Sequence, residues 1–352
     1  MTDFEFGSIP DGTDKIWAKK QVNDFLKQAR MESKPKKCIV CGKSTTKFCN
    51  SHSVPRTFLK NIAEDGKVLQ ANGLVGIEVF DIEKGINNSG TFRFICNECD
   101  STLFQTYENP ESIKKKHLSD KLLAEIALKD VLLMLSKRNI EKTIFKKSGE
   151  LGAVSNVETM FEIQSLDESE FIDEMDLYMN IDDSSSGNFN IIYHAVLPYT
   201  TPIAVQTALV IRKDLEETVI NDIYDLSPDL RMQYMHISVF PLENETVVLM
   251  FYHRRDKNYR GLSHQFNCLS DEEKLRYINY LIFKYTENYF FAPSFKMTIE
   301  ENPKLAQLSR ESNELPNFGY VNIMTMMQYK PVKITEVPNL LNREYALSST
   351  EQ

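Results

Sequence analysis

The 352-residue sequence lacks the features that would place a protein in or across a membrane. No apolar run approaches the roughly 20 residues that a spanning helix needs. The first residues, MTDFEFGSIPDGTDKIW, have neither the basic region nor the apolar core of a secretory signal. We therefore expect a cytoplasmic protein with no membrane partner, whose six cysteines are metal ligands or buried thiols rather than disulfides.

Common nucleotide and hydrolase motifs are also missing. The sequence contains no Gly-x-x-x-x-Gly-Lys-[Ser/Thr] phosphate loop and no Gly-x-Gly-x-x-Gly fingerprint. It contains no Gly-x-Ser-x-Gly nucleophile elbow either. The chemistry of the chain must therefore be sought in other residues.

Charge of one sign is nearly absent from two stretches. The net charge of −9 argues against a protein that coats nucleic acid with its whole surface. Residues 31–60, however, carry seven Lys or Arg against the single acid Glu32, whereas residues 151–183 carry ten acids and no Lys or Arg. The basic stretch surrounds the first cysteines and can meet phosphates, the alternative being an ordinary solvated face.

The pattern of elements predicts an α+β fold in five segments. These are an N-terminal helix and basic linker (1–35), a cysteine-framed module (36–110), a helical and acidic connector (111–188), a larger α+β domain with a small antiparallel sheet (189–335), and a tail with little pattern (336–352).

Individual elements follow from apolar runs and caps. Strands are expected at GLVGIEVFDI, NFNIIYHAVLP, PIAVQTALVIRKD, QYMHISVFP and ETVVLMFYH, with the last two forming a hairpin. A long apolar helix is expected at about 111–138. Ser270 and Glu273 form a capping box for a helix of about 271–291.

Two Cys-x-x-Cys pairs carry the strongest chemical signal. Cys38 with Cys41 and Cys96 with Cys99 are separated by 54 residues. Each pair can turn both thiolates toward one ion, and four sulfurs complete a tetrahedral structural zinc site. The first pair has the Cys-x-x-Cys-Gly form of a zinc knuckle, and the second leads from an apolar strand into a helix. A knuckle followed by a helix N-terminus is the treble-clef arrangement.

A second ligand set stays open at the level of sequence. Cys38, Cys41, Cys49 and His52 have the spacing Cys-x2-Cys-x7-Cys-x2-His, which could close one zinc locally. That set would leave the second Cys-x-x-Cys pair without a role unless another ion used it. In the four-cysteine interpretation Cys49 is a buried free thiol, and Cys268 is expected in the core.

The blocks CIVCG, CNSHSVPR and FICNECD resemble the HNH endonuclease family of treble-clef zinc proteins. More narrowly, SHSVPR and ICNECDSTLFQTYENP are similar to uncharacterised bacterial proteins with Ser-His-x-x-Pro and Cys-x-x-Cys-[Asp/Glu] blocks. The likeness covers about residues 36–110, under a quarter of the chain.

The resemblance implies roles for two residues. His52 would activate the attacking water, a task that suits a neutral imidazole. Asp100 would hold one catalytic Mg²⁺ or Mn²⁺, with Asn50, Ser51 or Glu108 completing the shell. The chain departs from the family pattern at three positions: at Ser51, where Asp or His is common, at Asp100, where His or Asn is common, and at Thr91, near the position of the middle asparagine.

The resemblance therefore predicts an HNH-like, metal-dependent endonuclease that cleaves nucleic-acid phosphodiesters, DNA more than RNA, in a setting such as defence against phage. The expected phosphate contacts are Lys36, Lys37, Arg56 and Lys60, and a homo-oligomer is left open. The alternative is a non-catalytic zinc-finger protein that binds nucleic acid or a protein partner through the basic module. A third hypothesis is a zinc scaffold whose activity lies in the C-terminal domain.

Overall fold

A computed structural model describes residues 15–71, 80–150, 157–225, 227, 230–311 and 331–347. The α+β class predicted from the sequence is confirmed. The helices are α1 (Lys15–Glu32), α2 (Arg56–Leu59), α3 (Asn97–Leu103), α4 (Pro110–Ile113), α5 (Asp120–Glu150), α6 (Val157–Met179), α7 (Tyr259–Asn267), α8 (Asp271–Tyr285), α9 (Lys296–Glu300) and α10 (Pro303–Glu311). The strands are β1 (Ser51–His52), β2 (Lys67–Ala71), β3 (Phe80–Gly85), β4 (Thr91–Phe92), β5 (Phe189–Leu197), β6 (Ile203–Leu209), β7 (Met235–Pro241), β8 (Thr246–His253) and β9 (Tyr289–Phe291).

A seven-stranded antiparallel sheet, in the order β3-β2-β9-β6-β7-β8-β5, forms the centre of the fold. Every residue of β7 and β8 is buried, because both faces of the sheet are covered. Along β8 the side chains alternate between two cores, as the period of a strand requires. Val247, Leu249 and Phe251 pack in the core shared with the cysteines, whereas Val248 and Met250 pack in the opposite core with α7, α8 and α10.

The cysteine-framed module is joined to this sheet. Its strands β1 and β4 form a separate two-stranded antiparallel sheet. Its strand β2, however, pairs with β9, with Leu69 opposite Phe291. The predicted segment boundaries stay predictions. Of the strand predicted at GLVGIEVFDI, residues 73–79 lie outside the described residues, and the last three fall in β3.

The helical connector differs from the prediction of one helix at 111–138. The chain forms α4, capped by Asn109, and then α5, which runs from residue 120 to residue 150. The hydroxyl of Ser119 accepts from the backbone N–H of Leu122 and starts α5 as a cap. The predicted bounds were wrong at both ends, because these caps divide the region. None of the helices in the described ranges has both the length and the apolar composition needed to cross a bilayer.

The predicted β7–β8 hairpin and the Ser270–Glu273 capping box are both confirmed. The helix predicted at 271–291 ends earlier, at Tyr285, because residues 289–291 pair with β2 and β6 as strand β9. The tail is more ordered than its sequence suggested. Leu340 and Leu341 are fully buried in the core beside α8, and Leu347 donates its N–H to the carbonyl of Thr200. These few apolar residues cover a hydrophobic surface formed by the sheet and α8. A contact of this kind leaves no periodic pattern in the sequence of the tail. Residues 348–352 lie outside the described ranges.

Candidate metal centre and adjacent polar site

The sulfurs of Cys38, Cys41, Cys96 and Cys99 converge on one point. All four lie within 4.8 Å of one another. Cys38 Sγ lies 3.8 Å from Cys99 Sγ, and Cys41 Sγ lies 3.9 Å from Cys96 Sγ. A tetrahedral zinc with Zn–S bonds of about 2.3 Å separates its sulfurs by about 3.8 Å. The predicted four-cysteine cluster is therefore confirmed as a group that can hold a zinc-like ion.

Local backbone geometry builds the cluster. Cys38 and Cys41 lie on a tight turn, in which Gly42 adopts a left-handed φ of +68° and donates its N–H to the carbonyl of Cys38. Cys96 is the N-cap of α3, and its N–H donates to Cys38 Sγ over 3.3 Å. The ligands thus come from a knuckle and a helix N-terminus, as the sequence predicted.

The pKa values of Cys38 and Cys99 bear on how the cluster would hold a cation. Burial opposes ionisation of Cys38, but hydrogen bonds from backbone N–H groups outweigh it and lower the pKa of Cys38 to about 7. Burial and the neighbouring sulfurs raise the pKa of Cys99. A thiolate at Cys99 beside that of Cys38 therefore needs a positive ion next to it.

The alternative ligand set with Cys49 and His52 is not formed. The Cys49 thiol donates to Asp100 Oδ2 over 3.2 Å, and His52 Nε2 bonds to the carbonyl of Ile86 over 2.8 Å. Neither side chain belongs to the group of donor atoms around the four cysteines.

The prediction that Cys268 is a core residue is wrong. The residue is exposed at the end of α7, because Leu262 and Phe266 supply the buried face of that helix.

A second cluster lies beside the cysteines and is called the polar site: Ser51, His52, Asp100, Glu108 and Lys129. Asp100, in the first turn of α3, accepts at Oδ1 from Ser51 Oγ over 2.5 Å and from Lys129 Nζ over 3.1 Å. Lys129 also donates to Ser51 Oγ over 3.0 Å and lies 3.4 Å from Glu108 Oε1.

Exposure differs across the polar site. The Lys129 side chain is 2 % exposed, while those of Asp100 and Glu108 are 23 % and 40 % exposed. Burial opposes ionisation of Asp100, but the charge of Lys129 and hydrogen bonds from Ser51 and Cys49 outweigh it and lower the pKa of Asp100. Burial raises the pKa of Glu108, although Lys129 opposes the rise. Asp100 and Lys129 therefore form an ion pair, and Glu108 is held closer to neutral.

His52 is fixed by one of its two ring nitrogens. Because the carbonyl of Ile86 can only accept, Nε2 carries the proton in that bond and the lone pair lies on Nδ1. Burial lowers the pKa of His52, and the charges of Lys129 and Arg56 add to the effect, while Ile86 and Asp100 oppose it. His52 is therefore a neutral imidazole at neutral pH with a basic nitrogen.

The catalytic divalent ion implied by the resemblance does not fit these contacts. Asp100 Oδ1 already accepts from an ammonium and a hydroxyl, and Oδ2 accepts from the Cys49 thiol. In the described ranges, only the four cysteines bring three or more His, Cys, Asp or Glu donors within 4.8 Å of one another. The ion stays a prediction, and no chemical step is routed through it below.

The predicted phosphate contacts lie on the surface near this site. Lys36, Lys37, Arg56 and Lys60 are exposed, and no ion pair involves them among the residues that the structure describes. Arg56 begins α2 and lies close enough to lower the pKa of His52. Thr91, near the position of the family's middle asparagine, pairs with His52 in the β1–β4 ladder.

Sequence reasoning missed Lys129. It stands in LLAEIALKDVLLML, which was interpreted as a core helix of apolar residues. The signal was present, because a buried helix seldom carries Glu125, Lys129 and Asp130 unless each is paired.

No protein-family model matches the chain, and neither the curated proteins nor the solved structures contain a match.

Proposed function

We propose that this protein hydrolyses phosphodiester bonds of nucleic acid at the polar site, with His52 as the general base. One observation carries the proposal: His52 is neutral, half-buried and anchored through Nε2, so that Nδ1 remains to take a proton. The resemblance of residues 36–110 to the HNH pattern supports the same role.

The residues of the chain divide the work as follows. Nδ1 of His52 removes a proton from water as the water attacks phosphorus. The P–O bond to the leaving oxygen breaks, and that oxygen takes up a proton from solvent. Exposed Arg56, and Lys60 one turn later, hold backbone phosphates close to His52, and Lys36 and Lys37 extend the contact along the strand. Zinc, bound by the four cysteines, would fix the knuckle against α3 and so hold β1 and Asp100 in register.

The choice of DNA over RNA, and defence against foreign DNA as the biological setting, rest on the resemblance alone. They are part of the proposal, and the substrate choice is tested directly by offering both polymers.

The test is a cleavage assay on plasmid DNA and single-stranded RNA, with and without Mg²⁺ or Mn²⁺. Wild type, His52→Ala and His117→Ala are compared, each with its zinc content measured. His117 is an exposed histidine outside the polar site and serves as the matched control. We expect cleavage by wild type and His117→Ala only. Equal cleavage by His52→Ala would remove His52 from the mechanism, and no cleavage by wild type would reject the nuclease.

A non-catalytic nucleic-acid-binding protein is the second candidate, favoured by the four exposed cations Lys36, Lys37, Arg56 and Lys60. It predicts salt-sensitive binding without turnover. Charge reversal at Lys36, Lys37 or Arg56 should weaken that binding, while His52→Ala should leave it unchanged.

A further inference from the structure

The ammonium of Lys129 occupies a pocket of oxygen atoms. Ser51 Oγ, Asp100 Oδ1 and Glu108 Oε1 lie 3.0, 3.1 and 3.4 Å from Nζ. A hydroxyl and two carboxylates are the ligand types that Mg²⁺ and Mn²⁺ select in proteins. In this chain the same oxygens surround a side-chain cation.

Lys129 is built into this position. Its side chain is 2 % exposed, and Nζ lies 3.6 Å from the centre of the Phe104 ring, which covers it on one side. A buried ammonium is stable only when it is paired, and its partners here are the oxygens that an ion would need. A divalent ion at Asp100 would have to displace Lys129 into an apolar core.

We propose that Lys129 takes the place of the catalytic divalent ion at Asp100, so that the polar site works without Mg²⁺ or Mn²⁺. The inference rests on the proposed function and changes its cofactor. Lys129 is a positioning residue: it supplies one fixed positive charge, orients Ser51 and Asp100 beneath the surface, and keeps β1 with His52 in register with α3.

Manganese binding tests the inference without reference to activity. Zinc-loaded wild type, Lys129→Met and Lys121→Met are titrated with Mn²⁺ and followed by electron paramagnetic resonance. Lys121 lies on the same helix and pairs with Asp183 at the surface, so Lys121→Met controls for the loss of a lysine from α5. We expect no bound Mn²⁺ in wild type or Lys121→Met, and one Mn²⁺ per chain in Lys129→Met, whose oxygens are freed. One Mn²⁺ bound by wild type and lost in Asp100→Asn would overturn the inference, whether or not Lys129→Met folds.

Activity provides the second readout. If wild type cleaves nucleic acid, the rate should be unchanged by a chelator at a concentration that leaves the zinc content intact. Cleavage that the chelator abolishes and Mg²⁺ restores contradicts the inference but keeps the nuclease. If wild type cleaves nothing under any condition, the proposed function fails, while the manganese titration still decides the role of Lys129.

A groove on the far side of the sheet carries an independent inference. It has a volume of about 510 Å³ and lies between α7 and the adjacent strands β5 and β8. None of the described residues that line it is acidic. Its lining includes Asn190, Tyr252, Arg254, Arg260, Ser263 and His264. Together with Asn267, the lining residues of α7 have the spacing i, i+3, i+4 and i+7, which places them on one face of the helix.

The two arginines of the groove are not neutralised by acids. Arg254 donates through Nε to Asn190 Oδ1 over 3.2 Å, and neither Arg254 nor Arg260 has an ion pair within the described ranges. Arg231 and Arg255, by contrast, pair with buried Glu174. Two guanidinium groups that line one groove present the donors that match phosphate oxygens. We infer that the groove binds a phosphate-bearing ligand.

Binding of AMP and of a short single-stranded oligonucleotide, measured by calorimetry, tests this second inference and identifies the source of the phosphate. The double variant Arg254→Glu/Arg260→Glu is compared with Lys257→Glu, an exposed residue of the same segment that does not line the groove. If the double variant, unlike Lys257→Glu, loses binding of AMP, the ligand is a free nucleotide. If it loses only the binding of the oligonucleotide, the ligand is a nucleic-acid backbone. Binding of neither probe by wild type, or binding that the double variant retains, overturns the inference.

Discussion

Two adjacent residues of α5 serve two polar clusters that differ in their access to solvent. Lys129 reaches the polar site, where Asp100 and Glu108 are partly exposed. Asp130 reaches His236 on the buried strand β7. There His236 Nδ1 lies 2.8 Å from Asp130 Oδ2, and Tyr178 Oη lies 3.3 Å from His236 Nε2. We call Asp130, Tyr178 and His236 the core cluster, and all three are buried.

The two histidines show why similar groups serve different ends. His236 uses both ring nitrogens in bonds to its neighbours and has no exposed surface. His52 uses only Nε2, and no residue in the described part of the chain bonds to its Nδ1. A histidine whose two nitrogens are occupied can hold a fold together but has no atom left for a substrate. Under the proposed function, chemistry takes place at the polar site, whereas the core cluster contributes stability.

Removing zinc should have the largest effect, because the polar site depends on the cysteine cluster and the core cluster does not. Cys96→Ser should lose the metal and unfold the module, since structural zinc contributes on the order of 10 kcal/mol to small zinc domains. Zinc content and thermal unfolding measure the outcome, with exposed Cys268→Ser as the control. A Cys96→Ser protein with a full complement of zinc would show that the cluster is not the metal site.

Removal or protonation of His52 should give the next largest effect, a loss of cleavage activity. His52→Ala should lower cleavage by about 10²-fold or more, the usual contribution of a general base. Because burial and nearby cations lower the pKa of His52, the imidazole stays neutral below its ordinary pKa. The rate should therefore stay constant as the pH falls through about 6.5, the ordinary histidine pKa, and decline only at lower pH. A rate that already halves at that pH would assign the base to another group.

His236→Ala should show the opposite behaviour, with a loss of stability and little loss of activity. The change opens a cavity and leaves Asp130 and Tyr178 without their shared partner, which we expect to cost about 3 kcal/mol of unfolding free energy. Denaturant unfolding measures the loss. Tyr178→Phe, which removes a single hydrogen bond, should cost about 1 kcal/mol. If His236→Ala abolishes cleavage in a fully folded protein, the division between the two clusters is wrong.

The sequence predicted the parts of the fold that depend on local pattern. The β7–β8 hairpin, the Ser270 cap and the four cysteines each follow from residues close in the chain or from a known ligand spacing. The break before α5 was missed, although Ser119 stands directly before the helix as its cap.

The contacts that define the polar site depend on tertiary packing. Lys129 meets Ser51 across 78 residues, and its pairing with Asp100 requires that α5 pack against α3. No periodicity encodes such a contact. The sequence could therefore nominate His52 and Asp100, but it could not indicate that a lysine stands where a divalent ion was expected.

The smallest effect that we predict is a loss of folding stability in acid. It arises from His253, at the end of β8. Burial, reinforced by the charges of Arg255 and Arg231, lowers the pKa of His253 to about 4 in the folded chain. The unfolded chain, with a histidine pKa of about 6.5, binds more protons between these values, so stability is lost as the pH falls from about 6.5 toward 4. The loss from this group should be about 2 kcal/mol between pH 7 and 4.5. His253→Gln keeps the size and cannot be protonated, so its unfolding free energy should decline less steeply over the same range. Parallel pH profiles for wild type and His253→Gln would mean that other groups control acid stability, and the interior of the sheet would then not be the acid-sensitive part of the molecule.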